Sequence, residues 1–433
     1  MHRSVVIAAA AALAVASAAA AAQPSPLTLA EAQRRAVERS RALGAQDAAI
    51  AASREMAVAA GELPDPVLKL QLQNVPVEGP DRFTLNRDFM TMRAVGVMQE
   101  WTRREKRDLK RERFEREAQK DEAQKSVDIA NIQRDTALAW LDTFYAQAMV
   151  GVITEQAAAS QLEIAAAEGA YRAGRVNQAD VIAAHSARTG LDDRVSEFAR
   201  KLRNARTALA RWVGAGADAP LAERPAIDRV HLHLDDGLEH QLSQHPDIEV
   251  LRRKEEMART EARLAQANRK PDWSVEVMYS NRASQFGDMA SIGVSVPLQL
   301  FQKDRQDREV AAKLAEVEKM RAEREEMERS HVAEVRNMVS EWQNGLERLK
   351  RYERELVPLA RERTRATLSA YQGGKAASGD LLMARRNEIE VQMQALQLEM
   401  DTARLWAQLE YLAPDERVLP ASLFNTSNAK VSP

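Results

Sequence analysis

Four short stretches of the chain alternate apolar and polar residues with a period of two, and the long tracts between them repeat apolar residues every three or four positions. In PVLKLQLQN, Leu68, Leu70 and Leu72 oppose Lys69, Gln71 and Gln73; in WSVEVMYS, Trp273, Val275, Val277 and Tyr279 oppose Ser274, Glu276, Met278 and Ser280. IGVSVPL sets Ile292, Val294, Val296 and Leu298 against Gly293, Ser295 and Pro297, and MRAVGVMQEW, from Met92 to Trp101, keeps Val95 and Val97 together. Successive side chains of a strand point to opposite faces, so each stretch predicts a strand with one apolar face.

The helical tracts follow one plan twice. An opening helical segment (Leu29 to Gly61; Leu234 to Lys270) leads into a strand, a polar loop and a second strand. A very long helix follows, from about Thr102 to Tyr171 and from about Gln302 to Tyr371, with apolar stripes at Leu138, Leu141, Tyr145, Met149 and Val152 and at Val335, Met338, Trp342, Leu346 and Leu349. That spacing marks one buried helix face. At about 1.5 Å per residue, some 70 residues make a rod of about 100 Å, several times a bilayer core of about 30 Å, so neither long helix is a membrane span. A turn then reverses the chain into a return helix (Asn177 to Val213; Ser378 to Leu412). Opening and return helices together match the long one in length and fit end to end beside it.

The two halves share phrases as well as plan. YRAGRVNQADVI, from Tyr171 to Ile182, and YQGGKAASGDLL, from Tyr371 to Leu382, match at Tyr171 and Tyr371, Gly174 and Gly374, and Asp180 and Asp380, at a constant offset of 200. Pro64-Asp65 recurs as Pro271-Asp272, and VGV around Gly96 recurs as IGV around Gly293. An internal duplication follows, with 23–213 as the first repeat, 214–233 as a linker, 234–413 as the second repeat and 414–433 as a flexible tail.

Composition supports helices: of 433 residues, 45 % are hydrophobic and 29 % charged, with only 5 % aromatic and 17 glycines. A formal net charge of -2 argues against a nucleic-acid partner, which needs a net basic face. Zero cysteine excludes disulfides, thiolate metal sites and cysteine nucleophiles, and the thioether lipid anchor with them. Residues 1–22, MHRSVVIAAAAALAVASAAAAA, combine Arg3, an apolar run and small residues before Gln23, which predicts a cleaved secretory signal peptide.

In an exported chain the strands take on a particular meaning. Half-buried strands of a small soluble sheet are the commoner source of such alternation. However, 7 of the 20 aromatics (Phe83, Phe89, Trp101, Trp273, Tyr279, Phe286 and Phe301) fall in the two hairpin segments near strand ends, as in the girdles of a membrane barrel. The strands have the eight to ten residues a tilted transmembrane strand requires, with Leu68, Leu70, Leu72, Trp273, Val275, Val277, Tyr279, Ile292, Val294 and Val296 facing lipid. Four strands cannot close a barrel, since the smallest use about eight. Two copies would give eight strands and three would give twelve with room for a lumen, which the polar inner faces favour. Pro64 to Gly96 is ten residues longer than Pro271 to Gly293, so these loops are read as extracellular.

The duplicated strand–strand–helix–turn–helix plan with its two Y-x-x-G-x(5)-D phrases, over about residues 27 to 413, resembles the TolC family of outer-membrane efflux channels. The resemblance implies a mainly α fold with a small β part: a homotrimer with a shared 12-stranded β-barrel in the outer membrane on a long α-helical barrel crossing the periplasm. It implies a passive exit duct rather than an enzyme, with no cofactor, joined to an inner-membrane resistance-nodulation-division type pump through a periplasmic adaptor. The stretch from Asn74 to Trp101 and the following RREKR resemble the cobalt-zinc-cadmium and copper-silver branch, which points to heavy-metal ions as cargo. A drug or solvent duct of the same family is the alternative, and a periplasmic coiled-coil adaptor fits neither the duplication nor the strand pairs.

By the same resemblance the turns with Tyr171, Gly174, Tyr371 and Gly374 form the periplasmic end where the adaptor docks. Asp380, with its repeat mate Asp180, matches an acidic ring at the aperture, and Met383 stands where relatives carry a second acid. Both aspartates also fit simple helix capping, since each lies in the first turn of a return helix. His231, His233, His240 and His245 cluster around the linker, where plain surface residues are the commoner case than a metal site. Met90, Met92 and Met98 offer soft ligands to Cu(I), with strand packing or lumen lining as the simpler reading. No phosphate-binding G-x-x-x-x-G-K-[ST] loop, nucleophile elbow or H-E-x-x-H motif occurs, so transport energy must come from a partner.

Overall fold

A computed structural model describes residues 25–232 and 237–420. The expected signal peptide at 1–22, residues 421–433 and His233 lie outside the described residues. The elements in chain order are α1 (Leu29–Arg39), α2 (Arg41–Gly61), β1 (Val67–Gln73), β2 (Met92–Trp101), α3 (Arg104–Arg172) and α4 (Gln178–Val213), followed by α5 (Leu238–Ser243), α6 (Pro246–Asn268), β3 (Trp273–Asn281), β4 (Met289–Ser295), α7 (Gln306–Arg351), α8 (Val357–Gln372) and α9 (Ser378–Glu410). No helix of the described residues is long and apolar enough to cross a membrane.

Three of the expected helices are interrupted. The first opening segment breaks at Ser40, whose extended backbone (φ -66°, ψ 113°) ends α1. The second breaks at Gln244 and His245 before Pro246, a residue that starts helices well but cannot continue one. The second long helix widens into a π-turn at Tyr352–Leu356 ahead of Pro358, whose ring would collide with the carbonyl four residues back in a regular helix. The first long helix, α3, runs unbroken for 69 residues.

The chain forms two compact units that cut across the repeats. One comprises Met1–Ser40, Ile129–Leu234 and Glu334–Pro433; the other comprises Arg41–Asp128 and Asp235–Ala333. In the first unit, Trp140, Leu141, Tyr145 and Ile153 of α3 are fully buried, as are Leu27, Leu209 and Leu409. Val335, Trp342 and Leu349 of α7 are buried at sevenfold spacing, a coiled-coil-like seam. The linker is tied down by backbone and indole bonds. Leu27 N–H donates to Pro220 O at 2.7 Å and Ala222 N–H donates to Leu27 O at 3.2 Å. The indoles of Trp140, Trp342 and Trp406 donate to the carbonyls of Leu27, Ile227 and Arg229 at 3.0, 2.9 and 2.8 Å. Within residues 414–420, expected as part of a flexible tail, Asp415 is bonded to α3: Gln133 accepts from Asp415 N–H at 2.8 Å and donates to Asp415 O at 2.9 Å.

The second unit carries the sheet and ion-paired helices. Its four strands form one antiparallel sheet in the order β1-β2-β3-β4. Among its helices, Glu261 of α6 joins Arg113 of α3 at 3.1 Å and Lys313 of α7 at 2.7 Å, and buried Glu255 joins Arg324 at 3.0 Å. Burial raises the Glu261 carboxyl, and the Lys313 and Arg113 cations outweigh it, holding the group below the ordinary carboxylate range.

Candidate functional site

The sheet register sorts the alternating residues of the paired strands by face. Directly paired residues share a face. Trp101 pairs with Trp273; Gln99 with Val275 and Val275 with Val294; Leu68 with Val97, Val97 with Val277 and Val277 with Ile292; Leu70 with Val95, Val95 with Tyr279 and Tyr279 with Ala290; Leu72 with Arg93 and Arg93 with Asn281. Every strand residue expected to face lipid therefore lies on one face, where Leu70 and Ile292 are 74 % and 76 % exposed. Val296 is the exception in position: β4 stops at Ser295, and Pro297 has no N–H to extend the ladder. The indoles of Trp101 and Trp273 stack at 5.1 Å at one end of this face.

The opposite face is polar and closely fitted. Lys69 of β1 reaches across β2 to form an ion pair with Glu276 of β3. Gly96 lies between them, and a Cβ there would sit 2.8 Å from the Val277 carbonyl oxygen. This is why MRAVGVMQEW alternates less cleanly than its neighbours: Ala94 and Gly96 are small because β2 is central and bridged over. Met92 and Met98 are on this polar face, but six residues, or about 20 Å, separate them along the strand. Met90 is in the exposed loop, so the three methionines do not converge.

The two reversal turns belong to the first unit and repeat each other bond for bond. Gly174 N–H donates to Tyr171 O and Arg175 N–H to Ala170 O, both at 2.9 Å; Gly374 N–H donates to Tyr371 O at 3.0 Å and Lys375 N–H to Ala370 O at 2.8 Å. Gly174 and Gly374 have φ of +66° and +70°, with open space where a Cβ would be, so backbone conformation and not crowding requires glycine. Asn177 and Asp180 cap α4 reciprocally, at 3.0 and 3.1 Å. Ala377 has no side-chain acceptor, so only the return bond is made, from Ala377 N–H to Asp380 at 3.2 Å.

The turns are also joined to each other. Ser378 donates its hydroxyl to the Asp180 carboxylate, and Arg385 of α9 forms an ion pair with Glu163 of α3 at 3.0 Å. These bonds flank a cavity of about 260 Å³ lined by Leu162, Leu368, Tyr371 and Leu381. Met383 is 64 % exposed. Ser378, Glu163 and Arg385 carry no sequence signal of their own, because their pairing depends on how two segments some 200 residues apart meet. Of the linker histidines, His231 contacts Glu410 and Arg417, His240 contacts Gln244, and His245 packs on His331. Among the described residues no group of three or more His, Asp or Glu side chains is placed to hold a metal ion.

With this geometry the chain compares directly with known proteins. Residues 238–413 match the family model described as outer membrane efflux protein. This is the second strand–helix half and its linker-side helices. Solved structures share the fold: the outer-membrane channel OprN (18 % identity, TM-score 0.76, covering 89 % of this chain and 90 % of that one), VceC from Vibrio cholerae (19 %, 0.71, 89 % and 95 %) and CusC (15 %, 0.73, 89 % and 92 %). No curated protein matches the chain by sequence.

Proposed function

We propose that the chain is a member of the outer membrane efflux protein family and one subunit of a passive exit duct. The observation that carries this reading is the four-stranded sheet with one exposed apolar face and two open edges, β1 and β4. An open edge presents unpaired backbone groups, and in lipid those groups must be satisfied within the protein. Pairing β1 of one copy with β4 of the next does this, and three copies close a 12-stranded barrel with the Lys69–Glu276 face lining the lumen. The helices form the periplasmic duct, and an adaptor and an inner-membrane pump of the resistance-nodulation-division type supply docking and energy. The signal peptide at 1–22 directs export.

Heavy-metal ions are the proposed cargo, supported by the resemblance of the stretch from Asn74 to Trp101 and the RREKR that follows. The turns with Tyr171, Gly174, Tyr371 and Gly374 are the adaptor-docking end. Asp180, Asp380 and Met383 border the aperture, and the Asp180–Ser378 and Glu163–Arg385 contacts hold the two helical reversals together there.

Extraction in detergent followed by native mass measurement tests the duct, with three copies expected and a water-soluble monomer overturning it. In planar bilayers Asp380→Ala is expected to alter cation preference; identical currents would reduce Asp380 to a helix cap. Cells lacking the chain are expected to become sensitive to metal ions such as zinc, cobalt, cadmium, copper or silver. Sensitivity to antibiotics alone would reassign the cargo.

A further inference from the structure

Two imidazoles meet among the helices of the second unit. His245 caps the N-terminus of α6, is 7 % exposed, and lies against His331 of α7 with ring centroids 4.4 Å apart and planes tilted by 48°. Nδ1 of His245 accepts the Asp247 backbone N–H at 3.3 Å and lies 3.4 Å from the Asp247 carboxylate. Nε2 is sealed from solvent and has no hydrogen-bond partner among the described residues. Leaving a buried polar atom unsatisfied is destabilising, so an idle nitrogen beside a second imidazole calls for a physical reason.

We propose that His245 and His331 form a two-imidazole site for a divalent late first-row transition cation of the zinc type, with Asp247 as the positioning residue. In the structure Nδ1 is an acceptor, which leaves the ring proton on Nε2; cation binding takes the other tautomer, in which that proton sits on Nδ1 and is donated to the Asp247 carboxylate, freeing the Nε2 lone pair. A carboxylate behind a histidine fixes the tautomer and raises ligand basicity, as in many metal sites. Imidazole nitrogen suits Zn²⁺, Cu²⁺ and Ni²⁺. With two protein ligands where structural zinc sites use four, the site is a weak one. Binding ties the N-terminal end of α6, just past the break at Gln244, to α7. The site depends on helix packing and not on the identity of what a duct would carry.

The test uses untagged, metal-free, full-length protein in detergent, titrated with Zn²⁺ at neutral pH by calorimetry, with Cu²⁺ as the probe for electron paramagnetic resonance. One Zn²⁺ per chain is expected. His245→Gln and His331→Gln are each expected to weaken binding at least tenfold, and Asp247→Asn severalfold, while His240→Gln leaves it unchanged. The Cu²⁺ spectrum of the unaltered protein is expected to show two imidazole nitrogens. No Zn²⁺ binding at millimolar concentration, equal binding by His245→Gln or His331→Gln, or coupling to fewer than two imidazoles would each overturn the proposal. Because the spectrum needs no variant, it decides the matter even if the substitutions unfold the helices.

Discussion

Ile292 and Ser291 are neighbours on β4, both exposed, on opposite faces of the sheet. Ile292 belongs to the middle of five rows on the exposed face, level with Leu68, Val97 and Val277. Two rows separate it from the Trp101–Trp273 stack and two from Arg93 and Asn281 at the other end. At about 3.3 Å per residue that is about 13 Å along the strand in either direction. With a strand tilt near 40°, the depth from either end is about 10 Å, too far for an arginine to carry its whole charge to water by snorkelling. Arginine at mid-depth on a lipid face costs about 2–4 kcal/mol. Ile292→Arg should therefore lower the folded-to-unfolded ratio about 30- to 700-fold, at about 1.4 kcal/mol per decade.

Ser291→Arg puts the same charge on the face that already holds Lys69 and Glu276, level with Met278 and Gly96. Its expected cost is within about 0.5 kcal/mol, typical of a tolerated surface change. Refolding each variant from urea into lipid vesicles, read by tryptophan fluorescence, gives the two free energies. If Ser291→Arg costs as much as Ile292→Arg, or if neither costs anything, the apolar face does not meet lipid and the membrane reading fails.

Other perturbations test separate parts of the molecule. Gly96→Val should part β2 from β3 at a cost of about 1–3 kcal/mol, because its Cβ meets backbone at 2.8 Å, whereas Gly293→Val, with its nearest neighbour at 4.0 Å, should be tolerated; refolding yields compare the two. Trp342→Phe removes the donor to Ile227 O and should cost about 2 kcal/mol, seen as faster hydrogen exchange across residues 225–230. Asp415 titrates low: burial raises its carboxyl, and the Arg417 guanidinium and N–H more than offset that. Its stabilisation is complete above the unfolded value of about 3.9 and is lost as pH falls through the lower folded value. Melting followed from pH 7 to 2.5 should thus show a shallower acid limb for Asp415→Asn, and an unchanged limb would remove Asp415 from the account.

The period-two stretches were the most legible part of the fold, because alternation is a local property and pairing only multiplies it. Leu68, Val277 and Ile292 come from three separate stretches, yet each had already declared its face before any register was known. The duplicated phrases were legible for the same reason: Gly174 and Gly374 answer to a local backbone conformation with positive φ. The interruptions were less so. Pro246 and Pro358 mark two of them in sequence, but Ser40 carries no comparable signal. What sequence could not convey is which polar atoms meet across the chain. Trp342 sits within an apolar stripe and reads as core, while the N–H groups of Trp140 and Trp342 bind carbonyls 113 and 115 residues away. Repeated strand-and-helix architecture sets these bonds: Leu27 and Ile227 are offset by 200 residues, and their indole donors by 202. Thus a pseudo-symmetric clamp holds the segments before the opening helices, and the indole–carbonyl bond is present in both halves where the cap residues Asn177 and Ala377 differ. The candidate site follows the same rule. Its glycines and first-turn aspartates were visible in each copy alone, whereas Ser378 on Asp180, Arg385 on Glu163 and His331 on His245 exist only where one copy touches the other or where a broken helix brings its cap against a distant one.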